Sequence, residues 1–154
     1  MKPVVKILFI CHGNICRSPM AEFIMKDLVK KERLEREFEI ASAATSAEEI
    51  GNPVYPPAQR ELAAHGISCK GKTARQITRR DYQDYDYLVA MERYNLRNMK
   101  RILPEDPENK VSLLMEFAGR DEDIEDPWYS GNFSKVYRQI EEGCAAMLEK
   151  IRPY

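Results

Sequence analysis

Nine residues, CHGNICRSP from Cys11 to Pro19, join an apolar run to a stretch of helical periodicity, and this junction constrains the fold more than any other feature. The run before it, VVKILFI from Val4 to Ile10, is nearly all apolar. That pattern suits a central parallel strand covered on both faces rather than an edge strand with one wet side. After the junction, Met20, Phe23, Ile24 and Leu28 share one helical face, with Glu22, Lys26, Lys30 and Lys31 turned away from it. Ser18 suits an N-cap, and Pro19 the first helical position, where a missing N–H costs nothing. A strand feeding a helix through a tight turn is a unit of α/β architecture, and open α/β sheets bind ligands beyond the carboxyl ends of their strands. Cys11 stands at that end of the first strand.

The rest of the chain continues the alternation. Phe38 to Ser42 reads as a second strand, DYDYLVAM (Asp84 to Met91) as a third, and KVSLL (Lys110 to Leu114) as a short fourth. Helices are predicted from Pro57 to near Gly66, from about Glu92 to Ile102, and at the C-terminal end, where Val136, Ile140, Cys144, Met147, Leu148 and Ile151 are spaced for burial. YQDYDY (Tyr82 to Tyr87) reads by its alternation as the entry to the third strand, and Gly119 to Asn132 as a long acidic loop. His65 fits a helix C-terminus, and Cys69 and Cys144 fit structural thiols. Without repeats, low-complexity tracts or linkers, residues 1–154 are expected to form one α/β domain, a parallel sheet flanked by helices with right-handed crossovers.

Lys and Arg number 24 against 25 Asp and Glu, a net charge of −1, so no bulk positive field argues for nucleic acid or an anionic membrane. No segment approaches the ~20 apolar residues that span a bilayer. The N-terminal stretch also lacks the apolar core and cleavage site of a signal peptide. The four cysteines have no zinc-site spacing, and neither His12 nor His65 completes a ligand set, so no metal is expected. A reducing, cytoplasmic compartment is the expectation, and there a cysteine at a loop tip matters chiefly for its reactivity.

The junction itself has the chemistry of an oxyanion cup. If it curls, the backbone N–H groups of His12, Gly13, Asn14, Ile15, Cys16 and Arg17 converge, and the helix behind adds its positive N-terminal end. Arg17 can grip two oxygens of a tetrahedral anion with its planar fork, which a lysine could not imitate. Gly13 tolerates positive φ, and Asn14 can adopt the left-handed region or brace the loop through its side chain. The same field favours a thiolate at Cys11, and Ser18 could donate its hydroxyl to the sulfur. A thiolate on the floor of a phosphate cup is placed for in-line attack on phosphorus.

C-x-G-N-I-C-R-S-P at the first strand-to-helix turn resembles the low-molecular-weight protein tyrosine phosphatases. The resemblance continues through SAATS (Ser42 to Ser46), ARQ (Ala74 to Gln76), DYLVAMERYNL (Asp86 to Leu96) and EDPWY (Glu125 to Tyr129), and so spans nearly the whole chain. It implies a four-stranded, flavodoxin-like phosphatase fold and a metal-independent reaction through a cysteinyl-phosphate. Cys11 is then the nucleophile, and Arg17 with the loop from His12 to Ser18 holds phosphate. Asp126 of the D-P motif is then the general acid, its placement stiffened by Pro127. Ile15, Glu48, Trp128 and Tyr129 wall the substrate cleft, while Asn14, Ser18, Ser42 and Glu92 support the loop. The resemblance also implies a reversible disulfide between Cys11 and Cys16, guarding the nucleophile against overoxidation.

Three positions depart from the family pattern. Lys72 stands where many members carry a loop-bracing His, Glu92 where an Asp commonly supports the arginine, and Glu48 where some relatives place a Trp. With Glu49, Glu125 and Asp126, the cleft rim is expected to be acidic and to favour basic or neutral flanks on a protein substrate.

The expected enzyme takes phosphotyrosine proteins and small aryl phosphates, binds phosphate- or vanadate-type anions, needs no cofactor, engages neither nucleic acid nor membrane, and is monomeric. Three rivals differ in testable features. A thiol-dependent arsenate reductase needs further cysteines near the third strand, and none occurs between Arg79 and Met91. A phosphoarginine phosphatase resembles this loop but carries Thr at the position of Ile15, where an apolar wall suits a ring instead. A phosphoprotein-binding module would not need nucleophile, arginine and acid together.

Overall fold

The apolar run becomes the centre of the molecule. In the computed structural model, which describes residues 3–153, it forms β1 (Val5–Cys11), with Ile7, Leu8, Phe9 and Ile10 wholly buried. Successive side chains point to opposite faces of a strand, so one strand seeds two cores. Ile7 and Phe9 pack with Met20, Ile24 and Met25 of α1 (Arg17–Lys31) and with the C-terminal helix. Leu8 and Ile10 pack on the other face with Ala43, Ile77, Leu88, Ala90 and Met99.

β2 (Phe38–Ala44) flanks β1 on one side, and β3 (Tyr87–Ala90) followed by β4 (Val111–Leu113) lies on the other, giving the order β2-β1-β3-β4, all parallel. Cys11 pairs with Ala44, and Ile10 with Ala90. The chain leaves β1 toward one side and later returns to the other, so the topological switch point is the carboxyl end of β1. The α/β class, the parallel sheet and its four strands agree with the sequence. Among the described residues no helix is long and apolar enough to cross a membrane.

The helices begin and end for local reasons. α2 (Pro56–Ala64) closes as a Schellman turn: Gly66 N–H donates to Ala63 (2.9 Å) and Ile67 N–H to Leu62 (3.0 Å), with Gly66 at φ 77°. α4 (Arg93–Met99) starts where Asn95 Oδ1 accepts from the backbone N–H of Glu92 at 3.0 Å. α6 (Phe133–Ile151) buries Val136, Ile140, Cys144, Met147 and Leu148, the stripe expected from spacing.

Several expectations need correction. Ser18 does not cap α1: the N-cap is Cys16, whose own side chain makes no capping bond. The Ser18 hydroxyl faces the Cys11 sulfur instead, and Pro19 sits two positions inside the helix, where its missing N–H is still unneeded. Glu22, expected on the wet face, is 5% exposed, because a hydroxyl and two lysines reach it. Tyr82 to Asp84, expected to lead into a strand, instead close a short helix, α3 (Arg79–Asp84), since Thr78 and Asp81 form a capping box and Asp81 also takes the Arg75 fork. The acidic loop holds a one-turn helix, α5 (Pro127–Ser130), and β4 runs into a 3-10 turn, Leu114–Ala118.

Gly143, inside α6, shows how tightly that helix sits. A Cβ there would lie 2.6 Å from Cγ of the fully buried Leu114. Helix propensity alone favours Gly143→Ala by ~1 kcal/mol, whereas overpacking costs ~1–3 kcal/mol. Urea unfolding is expected to show Gly143→Ala destabilised; a stabilised variant would mean that Leu114 yields freely.

Candidate active site

Cys11 ends β1, Arg17 begins α1, and the five residues between them are held by one amide side chain. Asn14 adopts φ 59°, the left-handed region open to asparagine. Its Oδ1 accepts the Arg75 backbone N–H at 3.2 Å, and its Nδ2 donates to Ser18 Oγ (2.7 Å) and Ser42 Oγ (2.9 Å). Gly13 does not use positive φ; Asn14 does. At Gly13 an added Cβ would come 3.4 Å from Cγ of Glu49, a neighbour on the cleft rim. Among the described residues, the N–H groups of Gly13, Asn14, Ile15 and Cys16 donate to no backbone carbonyl, which suits them to an anion.

The floor of this loop is Cys11, 3% exposed. Its sulfur lies 3.0 Å from Ser18 Oγ and 3.4 Å from the Ser18 backbone N–H that points at it. Both contacts come from the first turn of α1, so the sulfur faces a helix N-terminus. Cys16 is 6% exposed, and burial first, then the charges of Cys11 and Asp126, push its thiol well up. All four cysteines are free thiols.

Arg17 is 2% exposed. Its Nη1 donates to the Ile124 carbonyl at 2.9 Å and pairs with Glu92 Oε2, and its Nη2 lies 3.6 Å from Asp126 Oδ2. Burial opposes the charged guanidinium, yet Cys11, Glu92 and Asp126 together hold its pKa above the usual arginine value. Glu92 thus stands on the arginine, as expected of its carboxylate. Asp126 is the N-cap of α5, with Oδ1 accepting the Trp128 N–H at 3.1 Å and Pro127 at the first helical position.

A cleft of about 360 Å³ opens over Cys11, lined by Gly13, Ile15, Cys16, Arg17, Asp126, His12, Glu48, Glu49, Tyr94, Trp128 and Tyr129. Trp128 (52% exposed) leans on Tyr55 with ring centroids 4.6 Å apart, whereas Tyr129 stands nearly free at 85%. His12 turns its ring to the rim, 3.1 Å from Glu48 and stacked near Tyr94. A second, larger groove lies away from these residues, between the end of α2 and residues 66–72.

Every residue expected at the site gathers around this cleft or its supports. Sequence reasoning missed Glu22, the Arg75 N–H, the Ile124 carbonyl and Tyr94. The backbone partners carry no side-chain signal. Glu22 falls on the polar side of a helical wheel, so only a neighbour reaching it could have revealed its burial. The support network persists without the usual His, because Lys72 Nζ donates to the Ser42 carbonyl at 3.0 Å and lies 3.7 Å from Glu22.

The chain and its fold are similar to those of known proteins. The family profile described as low molecular weight phosphotyrosine protein phosphatase matches residues 6–153. A Gallus gallus low molecular weight phosphotyrosine protein phosphatase is 42% identical over 96% of each chain. The crystal structure of YfkJ from Bacillus subtilis superposes with a TM-score of 0.94 at 37% identity, covering 98% of this chain and 96% of that one. That of a drosophila arginine phosphatase gives 0.86 at 36% identity, covering 96% of this chain and 99% of the other. A match this long, joined to a cysteine-floored loop and its buried arginine, means that the chain belongs to the low molecular weight phosphotyrosine protein phosphatases.

Proposed function

We propose that this chain hydrolyses phosphotyrosine in proteins, and small aryl phosphates, with Cys11 as nucleophile, Arg17 and the loop amides as phosphate clamp and Asp126 as proton donor. One observation carries the reading: Arg17 spans from Glu92 to Asp126 beside a sulfur that Ser18 contacts at 3.0 Å. The sulfur attacks phosphorus opposite the tyrosyl oxygen; the S–P bond forms as the P–O bond breaks, and Asp126 gives its proton to the departing oxygen. Water then attacks phosphorus and returns a proton to Asp126, the S–P bond breaks, and inorganic phosphate leaves a restored thiolate. Arg17 and the loop N–H groups hold the equatorial oxygens throughout, which is electrostatic stabilisation where charge develops.

The likeness to an arginine phosphatase raises phosphoarginine as the competing substrate. Ile15 on the cleft wall offers an apolar surface to a ring and no hydroxyl to a guanidinium. Cys16 lines the same cleft as Cys11, which supports a redox role for the pair as well. Peroxide would convert Cys11 to a sulfenic acid, whose sulfur Cys16 captures with loss of water. Such chemistry belongs to a compartment that can reduce the disulfide again, which favours the cytoplasm.

In EDTA, wild type is expected to turn over p-nitrophenyl phosphate with inhibition by vanadate, and Cys11→Ser to show none. Full activity in Cys11→Ser would overturn the mechanism. Asp126→Ala should lose on the order of 10²–10⁴ in kcat with phenyl phosphate and much less with leaving groups that need little protonation. Equal losses across leaving groups would remove Asp126 as the acid.

Glu48, with a side chain 71% exposed, and Glu49 make the rim acidic. At low salt, phosphotyrosine peptides with Arg beside the phosphorylated residue should exceed Glu-flanked ones roughly 2- to 5-fold in kcat/KM. Salt and the double change Glu48→Lys, Glu49→Lys should erase or reverse the preference, and an unchanged ranking would show that the rim does not select.

A further inference from the structure

Trp128 lines the cleft with about half of its surface exposed, and the residue it rests on does not line the cleft at all. Tyr55 meets it with ring centroids 4.6 Å apart and planes tilted by 46°. The same tyrosine ring stands 6.0 Å from that of the buried Phe133, at the start of α6. Three aromatic rings thus lead from the larger core to the cleft mouth. Tilted and offset pairs at such separations attract beyond the area they bury.

Tyr55 is firmly held. Its N–H donates to the Ile15 carbonyl at 2.9 Å, and its carbonyl accepts the N–H groups of Ala58 and Gln59 at 2.9 and 3.0 Å. Pro56 follows, and a proline holds the residue before it extended, as Tyr55 is at φ −56° and ψ 132°. The ring is therefore carried by backbone that is bonded on both sides.

What it supports cannot hold itself. α5 is a single turn, and one turn fixes several dihedrals for very few hydrogen bonds, so its shape depends on tertiary contacts. The buried Pro127 places the start of that turn, while Tyr129 and Ser130 are exposed. The Lys135–Glu125 pair, at 2.7 Å, joins side chains 50% and 30% exposed, where ion pairs contribute little. Arg17 Nη2 lies 3.6 Å from Asp126 Oδ2, too far for a good hydrogen bond. The Trp128 ring on Tyr55 is the apolar hold on the rest of the turn, and the Trp128 N–H is the group that Asp126 Oδ1 accepts.

We infer that Tyr55 is a positioning residue for the general acid: its ring holds Trp128, and through the Trp128 N–H the Asp126 carboxyl, so that Oδ2 faces the leaving oxygen. The inference rests on Asp126 as the proton donor. Since Tyr55 does not line the cleft, its whole effect passes through Trp128.

Phenyl phosphate and p-nitrophenyl phosphate separate this role from plain packing. Both place one ring in the cleft, so a damaged wall lowers kcat/KM for both. A misplaced acid harms only phenyl phosphate, whose leaving oxygen needs the proton. In Tyr55→Ala, kcat/KM is expected to fall roughly 3- to 10-fold with phenyl phosphate, the factor that an aromatic pair supplies, and less than about 2-fold with p-nitrophenyl phosphate. Tyr55→Phe keeps the ring and should match wild type with both. In a Trp128→Ala background, Tyr55→Ala should cost phenyl phosphate little more, because the tyrosine then has no ring to hold.

Trp128 is the sole tryptophan, so its fluorescence reports on the stack directly. Acrylamide should quench it more strongly in Tyr55→Ala, and its anisotropy should decay faster, with Tyr55→Phe unchanged. Should Tyr55→Ala fail to fold, Tyr55→Leu, which keeps an apolar side chain, carries the same comparison. Equal losses on the two substrates, or altered fluorescence with wild-type kinetics, would overturn the inference and leave Tyr55 a packing residue. A Tyr55→Phe variant as impaired as Tyr55→Ala would overturn it too. Asp126→Ala is the control. If it loses equally across leaving groups, the reading of Asp126 as the acid fails; if it shows the leaving-group dependence and Tyr55→Ala does not, the inference alone fails.

Discussion

One side chain, the Asn14 amide, makes the catalytic loop a defined object. It meets three separate parts of the chain: Ser18 on α1, Ser42 on β2 and the Arg75 backbone N–H in the segment after α2. A five-residue turn with its backbone N–H groups directed at a ligand cannot satisfy them internally, so its shape must be imposed from outside. Asparagine suits the position twice over. It accepts the left-handed backbone at φ 59°, and it offers both an acceptor and two donors. The sheet does the rest, since β1 pairs with β2 up to Cys11 and Ala44 and so brings Ser42 beside the loop.

A second constraint brings the far end of the chain to the same place. A guanidinium that is 2% exposed requires anions and acceptors around it, and Arg17 draws them from Glu92 after β3, the Ile124 carbonyl and Asp126. The long acidic stretch is thereby tied down at Ile124, which is itself fully buried and donates its N–H to the Met91 carbonyl at 3.0 Å. Asp126, the proposed acid, thus lies against the same cation that is proposed to hold phosphate. Of the partners only the guanidinium is fully buried; Glu92 and Asp126 are partly exposed and reach it from the cleft side.

Much of this was legible in the residues. The apolar run announced a central parallel strand, and the loop after it announced an anion site, because a sheet has one favoured place for ligands and the motif sits there. The helical stripe of α6 was equally plain. Where the sequence misled, a local rule met a stronger distant partner. Ser18 looks like an N-cap, but the Cys11 sulfur claims its hydroxyl. Glu22 looks solvated on a wheel that takes no account of Ser42 or Lys72. The alternation in YQDYDY lost to the Thr78–Asp81 capping box, a signal that begins four residues before the first of the alternating tyrosines. Lys72 could be noted as a departure from the family, but not that an ammonium would reach the same serine.

The capping of α5 has a stereochemical consequence. Asp126 accepts the Trp128 N–H through Oδ1, so one of its two oxygens belongs to the helix, and only Oδ2 faces Arg17 and the cleft. In the proposed reaction the two half-reactions therefore share a single oxygen atom for protonating the leaving group and for receiving the proton of water. A carboxylate free to rotate could alternate its oxygens between tasks; this one cannot do so without giving up the bond that caps α5. The shortest α-helix among the described residues thus restricts the proposed acid to one oxygen, and in that mechanism the incoming water follows the path that the departing phenol has left.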